Sequence, residues 1–456
     1  MTAQTNQPAG IAEAPKAGFY AWYAVLVLML AQTCSFIDRM IMGLLVGPIR
    51  TSFNISDTEF SLLAGLAFAI FYSVMGLPLA RIADRKSRRV LIAVGITVWS
   101  AMTALCGLAQ GFWSLFAARV GVGIGEAALS PAAYSMITDY FPKKSLARAL
   151  SVYTIGVTIG SGLAYIIGGK VVQFALSIGS VDLPVVGATE GWQLTFFAVG
   201  IPGLLIAMLM MTVREPARRG RLQASEASSA SEAPQISIKE VVSFILARKG
   251  AFLSHIFGVS IFIMAVFSLN IWGPEYLIRT FGMARAEAGL QFGIVMIVMG
   301  TSGLMCGGLL ADRWFSKSTF DAYSRVILLS MGCMLPFAAM LAFADTVALG
   351  LACLAGAIFF SAFQGGIAGG VIQLMVPNEM RGQAVALYFL AANLIGLGFG
   401  PTVVAAITDY VFKNDAALNK SLALTSVTLI PIAAIIMLSG SGKVREAVRS
   451  AQAWTS

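Results

Sequence analysis

Apolar runs, each long enough to cross a lipid bilayer, dominate this chain, and they constrain its fold more than any other feature. They lie near positions 19–46, 58–82, 90–110, 112–138, 146–173 and 192–213, then again near 251–278, 286–311, 322–344, 347–376, 383–410 and 421–440. A helix needs roughly 20 apolar residues to span the hydrocarbon core. Only 12% of the 456 residues are charged while 58% are hydrophobic, so too little charge exists to cover a water-soluble globule. The expectation is an all-α membrane protein of twelve transmembrane helices, six before and six after one polar interruption.

That interruption, 214–249, is basic and rich in Ser, Ala and Glu, and it reads as a disordered tether between two bundles. The expected organisation is an N-terminal tail over 1–18 and a first six-helix bundle over 19–213. The linker then leads to a second bundle over 250–440 and a tail over 441–456. The first apolar run is too long for the core of a cleaved signal and carries Asp38 and Arg39, so it is expected to stay as the first span.

Basic residues set the orientation. Arg81, Arg85, Lys86, Arg88, Arg89, Lys143, Lys144 and Arg148 fall in loops on one side, with the linker, Arg313, Lys317, Arg325, Arg381 and the tail arginines. The opposite loops hold only Arg50, Lys170, Arg279, Arg285, Lys413 and Lys420. By the positive-inside rule both termini and the linker are expected in the cytoplasm, with the protein in the plasma membrane (the inner membrane of a bacterium). The net charge of +9 is thereby assigned to topology, and nucleic acid is not an expected partner.

The halves repeat. Shifting the chain by half its length pairs Glu59 with Glu287, Leu62 with Leu290, Gly65 with Gly293, and Ala83-Asp84-Arg85 with Ala311-Asp312-Arg313. With six spans per half, the repeats share one orientation and are related by a pseudo-two-fold axis along the membrane normal.

Several chemistries are poor fits. The five cysteines are scattered without a Cys-x-x-Cys, and one histidine stands alone at His255, so neither a metal site nor a Ser-His-Asp hydrolase is expected. A Walker-type phosphate loop is missing, so ATP is not the direct energy source. No cofactor and no enzymatic activity are expected.

The charges inside spans are the informative ones. Asp38 and Arg39 lie in the first span, and Arg119 and Glu126 in the fourth. Seven residues apart, Arg119 and Glu126 share a helix face. An ionisable group at membrane depth is costly, so it faces a partner or a cavity. Asp38 and Glu126 are candidate proton carriers. Arg39 and Arg119 are candidates to compete for them and, once released, to bind an anionic headgroup. A structural ion-pair network is the competing reading.

Ala80-Arg-Ile-Ala-Asp84-Arg85-Lys-Ser-Arg88-Arg89 resembles the loop motif of the major facilitator superfamily, and Gly308-Leu-Leu-Ala-Asp312-Arg313 resembles its second copy. The resemblance implies the major facilitator fold and alternating access. Asp84, Arg85, Arg88, Asp312 and Arg313 would then act as a gating motif, the acids capping helix N-termini and the arginines binding carbonyl ends. Arg119-Val-Gly-Val-Gly-Ile-Gly-Glu126-Ala resembles the superfamily's fourth-span motif, with Gly121 and Gly125 available for close packing. Gly160-Ser161 stands where drug/proton antiporters have Gly-Pro, so packing is the expected role there.

Ser35-Phe-Ile-Asp38-Arg39, the fourth-span motif with Asp139-Tyr-Phe-Pro142, and Val213-Arg-Glu-Pro216 are similar to Spinster-type transporters. That resemblance implies a lysophospholipid or sphingoid-phosphate substrate, proton coupling through Asp38 and Glu126, and headgroup contact through Arg39 and Arg119. The alternatives are a proton symporter of small organic anions and a multidrug-type exporter. A monomer is expected, with the bilayer, protons and a small amphiphilic or anionic substrate as its partners.

Overall fold

The computed structural model describes residues 18–183, 187–218, 237–317 and 321–451. Among them are twelve helices long and apolar enough to span a membrane. They run Phe19–Leu44, Asp57–Ala83, Arg88–Cys106, Phe112–Tyr140, Arg148–Ile178 and Gly191–Thr212 in the first half. The second half has Lys249–Phe281, Arg285–Phe315, Ala322–Phe343, Val347–Leu374, Arg381–Phe412 and Asp415–Ala451. Among the described residues the only strands form a hairpin between the fifth and sixth spans, pairing Val181–Leu183 with Gly187–Thr189.

Hydroxyl side chains set several helix starts. Ser87 accepts from the Val90 N–H at the third span, and Thr346 from the Leu349 N–H at the tenth. Seven spans contain an internal proline (Pro78, Pro131, Pro202, Pro274, Pro336, Pro401, Pro431). Neighbouring helices make such a residue tolerable inside a membrane.

Glycines bring the backbones together. A Cβ on Gly125 would lie 2.6 Å from the Trp99 nitrogen and 2.9 Å from the Gly95 carbonyl, so the third and fourth spans touch backbone to backbone. Gly160 would meet the Thr33 carbonyl at 2.6 Å, which gives the Gly160-Ser161 segment its expected packing role against the first span.

Both ends of the linker are described. Arg214–Arg218 is held against the first half, and Ile238–Ala247 is a helix opened by a reciprocal Ser237–Glu240 cap. Only 219–236 of that tether lies outside the described residues. At the other end the last helix continues through Ala451, so the expected tail begins as helix.

Polar ties between the halves cluster at the end of the bundle remote from the termini. Arg279 donates both terminal nitrogens to Asp57 (2.6 and 2.8 Å), and Arg50 pairs with Asp415 at 2.7 Å. Asp409 accepts from both the N–H and the hydroxyl of Thr58 (2.7 and 2.6 Å). Nearer mid-membrane, the Tyr165 hydroxyl donates to the Asn270 carbonyl at 2.5 Å.

Candidate functional site

Spans one, two, three and four converge on the buried charges. Ser35 and Arg39 are four residues apart, so both side chains leave the first span on one face. Both reach the same oxygen: Arg39 Nη2 and Ser35 Oγ each donate to Glu126 Oε2 at 2.6 Å. The Arg39 and Glu126 side chains are 5% and 0% exposed, so this ion pair is sealed from solvent. Asp38, one residue round the helix, turns to the third span, where the Thr103 hydroxyl donates to its Oδ2 at 3.3 Å.

Arg119 pairs with neither acid. Its Nη1 donates to the backbone carbonyl of Asp38 at 3.4 Å and its Nε to the Leu63 carbonyl at 3.5 Å. The structure therefore brings all four expected residues together but distributes their charges unequally. Glu126 has a counter-ion, while Asp38 has a hydroxyl and a neighbouring guanidinium held by backbone. Asp38 Oδ1, Glu126 Oε1, Arg39 Nε and Arg119 Nη2 are buried and have no hydrogen-bond partner among the described residues. Buried polar atoms are normally paired, so four such atoms in one place set this cluster apart from the packed interior around it.

An aromatic wall completes the site. The Arg39 guanidinium carbon lies 4.6 Å from the Phe36 ring centre, 4.4 Å from Phe68 and 5.0 Å from Tyr72. The Arg119 guanidinium carbon lies 5.7 Å from the Phe68 ring centre. Planar guanidinium against ring faces holds a desolvated cation without neutralising it.

Sequence reasoning missed Ser35, Thr103 and the aromatic wall. Ser35 was recoverable from its i, i+4 relation to Arg39; Thr103 was not, because nothing in the sequence aligns the third span against the first. The second half lacks a matching charge for a visible reason. The fourth span breaks at Ala127-Ala128 directly after Glu126, and the tenth breaks at Gly365-Gly366 directly after Gln364, with Gly366 at φ +81°. Matching the two breaks places Gln364, a neutral amide, where the first half has its acid.

The gating motif behaves differently from expectation. Arg88 is its centre: buried, it donates to Glu215 at 2.7 Å and Ser135 at 2.9 Å and pairs with Asp139. Arg85 and Arg313 are exposed, and among the described residues Asp312 accepts only a long 3.5 Å contact from Tyr323. The Asp84 side chain lies outside those described. The arginine that does bind carbonyls at the end of the second span is Arg218, which donates to Ala83 and Lys86 at 2.7 Å each. His255 is a packed residue, 1% exposed, with Nε2 2.9 Å from the Ala368 carbonyl.

The sequence model of the Major Facilitator Superfamily matches residues 28–401. An MFS-type efflux pump of Mycolicibacterium smegmatis is 30% identical over 93% of this chain and 94% of its own length. Protein spinster homolog 1 of Xenopus laevis is 26% identical over 86% of this chain and 74% of its own. Among solved structures, a bacterial homolog of the human lysosomal transporter Spinster, inward-facing and unoccupied, superposes with a TM-score of 0.73. It is 26% identical, and the match covers 94% of this chain and 97% of that one.

Proposed function

The chain belongs to the Major Facilitator Superfamily and is a transporter rather than an enzyme, and from this premise we propose that it is a proton-coupled carrier of a single-chain amphiphilic anion. The substrate class is that of a lysophospholipid or sphingoid phosphate. The observation that carries this reading is the sealed Arg39–Glu126 pair with Asp38 beside it, walled by Phe36, Phe68 and Tyr72.

A proton on Glu126 cancels the charge that holds Arg39. The released guanidinium then presents a planar, bidentate cation to a phosphate or carboxylate headgroup, while the aromatic rings accept the start of an acyl chain. Asp38 is the second proton acceptor, and Arg119 is the charge that balances it. An amphiphile fits two kinds of relative, an efflux pump and Spinster proteins, whereas the hexuronate transporter of Bacillus subtilis, 25% identical over 84% of this chain, fits the alternative of a small organic anion.

The basic end, with both termini, faces the cytoplasm of a plasma membrane. The ties at the remote end then close the outer side, and substrate reaches the site from within. Asp84, Arg85, Arg88, Asp312 and Arg313 form the inner gate, which the Arg88–Asp139–Glu215 cluster anchors on the first half.

The test is proton flux in sealed proteoliposomes carrying a pH-sensitive dye, with lysophosphatidylglycerol and citrate added in turn and protein-free liposomes run in parallel. The expected result is a protein-dependent flux with the lysolipid, lost in Asp38→Asn and Glu126→Gln while lysolipid binding persists. Flux with citrate alone would make the protein an organic-anion symporter; full flux in both variants would make the buried charges structural.

A further inference from the structure

The second span is not a regular α-helix where it passes the charge site. Over Leu62–Leu66 it widens into a π-turn, in which the Ala67 N–H bonds to the Leu62 carbonyl five residues back. The eleventh span does the same over Ala392–Leu397, where the Gly398 N–H bonds to the Asn393 carbonyl. Single π-turns inside α-helices concentrate at functional positions.

These two turns touch each other across the boundary between the halves. A Cβ on Gly65 would lie 2.7 Å from the Leu397 carbonyl and 2.9 Å from that of Gly398. The opposite side of the first turn receives the charge site, since Arg119 Nε donates to the Leu63 carbonyl. Arg119 also holds the Asp38 carbonyl, and Phe68, just past the turn, has both guanidiniums within 6 Å of its ring centre, at 4.4 and 5.7 Å. One short segment therefore has the buried charges on one face and the other half of the molecule on the next.

Resting on the proton-coupled reading above, we propose that Arg119, the Leu62–Leu66 turn and Gly65 form a strut. It transmits the charge state of the buried site to the seam between the halves at Leu397–Gly398. Arg119 and Gly65 are positioning residues: one pulls on a backbone carbonyl, and the other keeps two backbones close enough for that pull to be felt. When a proton frees Arg39, the two guanidiniums on Phe68 rearrange, and the strut shifts the second span against the eleventh. The ionisable groups around it are Cys34, Asp38 and Arg39 from the first span, Tyr72 from the second, Cys106 from the third, and Arg119 and Glu126 from the fourth.

The test reads conformation, and needs no identified substrate. Spin labels at Thr51→Cys and Ala416→Cys, both exposed and flanking the Arg50–Asp415 bridge, report the distance across the remote end with Cys306 and Cys333 replaced by Ser. The distance distribution is recorded at about pH 8 and about pH 5, a range in which buried carboxylates titrate. The expected result is a pH-dependent shift in the parent protein that is lost in Gly65→Ala, whose Cβ would meet two backbone carbonyls at 2.7 and 2.9 Å, and in Arg119→Lys, which keeps the charge but cannot hold the Leu63 and Asp38 carbonyls together. Gly76→Ala, on the same span with nothing within 4 Å, keeps the shift and controls for stiffening of the helix.

A shift of parental size in Gly65→Ala overturns the strut alone. If Gly65→Ala does not fold, Arg119→Lys decides in the same way. A parent without any shift overturns the proton-coupled reading, and the strut with it.

Discussion

A single hydroxyl shows how finely the buried pair is set. Ser35 shares Glu126 Oε2 with Arg39, so the acid's charge is spread over two donors from one helix face. Hydrogen bonds to charged groups contribute about 1.5–3 kcal/mol each. Ser35→Ala is therefore expected to lower the melting temperature in detergent, and to do so far less in a Glu126→Gln background, where the charge is gone. Equal losses in both backgrounds would mean that Ser35 serves packing and not the acid. Arg39→Ala should cost more, about 3–5 kcal/mol, because it strands an unpaired buried carboxylate.

Among the elements, the first residues of the linker are where composition says least. Ser- and Glu-rich sequence predicts a tether over 214–249, and at its start Glu215 is fixed to the third span. Burial pushes the Glu215 carboxyl upward, but hydrogen bonds from the Arg89 N–H, the Arg88 guanidinium and the Ser87 hydroxyl outweigh it and hold the group below the usual carboxylate range. A depressed carboxyl adds stability above its unfolded value of about 4.3, and that stability is lost as pH falls through the folded value. Glu215→Gln should thus melt earlier than the parent at neutral pH, with the gap closing in acid. A gap independent of pH would assign the loss to shape alone.

The second half carries the same brace with its signs exchanged. Asp321 at the ninth span binds Arg445 of the twelfth at 2.7 Å, where Arg88 at the third binds Glu215 after the sixth. Hydrogen bonds from Arg445 and Arg325 overcome burial and hold Asp321 below its ordinary value too. A sequence repeat search compares residue types, so it cannot see a contact conserved with reversed charge.

At the level of the whole molecule, the ties at the remote end decide which side is sealed. Asp57, fully buried, takes both Arg279 and Arg50, and is the hub of that closure. Arg279→Gln leaves Asp57 half neutralised and should open the remote end. The expected readout is faster thiol labelling of Ser61→Cys, which lies buried on that seam beside Thr402. Unchanged labelling would show that packing, rather than charge, keeps the end shut.

Twelve spans, two halves and the four intramembrane charges were legible in the sequence because each follows from local physics: hydrocarbon thickness, loop charge, and the cost of an ion in lipid. Gly125 was legible as a packing residue for the same reason, since a small residue four from another allows close approach. The pairing was not. Which acid takes Arg39, why Arg119 grips two carbonyls, and where Thr103 stands depend on how separate helices rotate against one another, and no local period fixes that angle. The π-turns at Leu62 and Ala392 were invisible for a related reason. Their extra residue per turn is stabilised by contacts between spans, so the tertiary structure alone decided that the charge site and the seam between the halves meet on one helix.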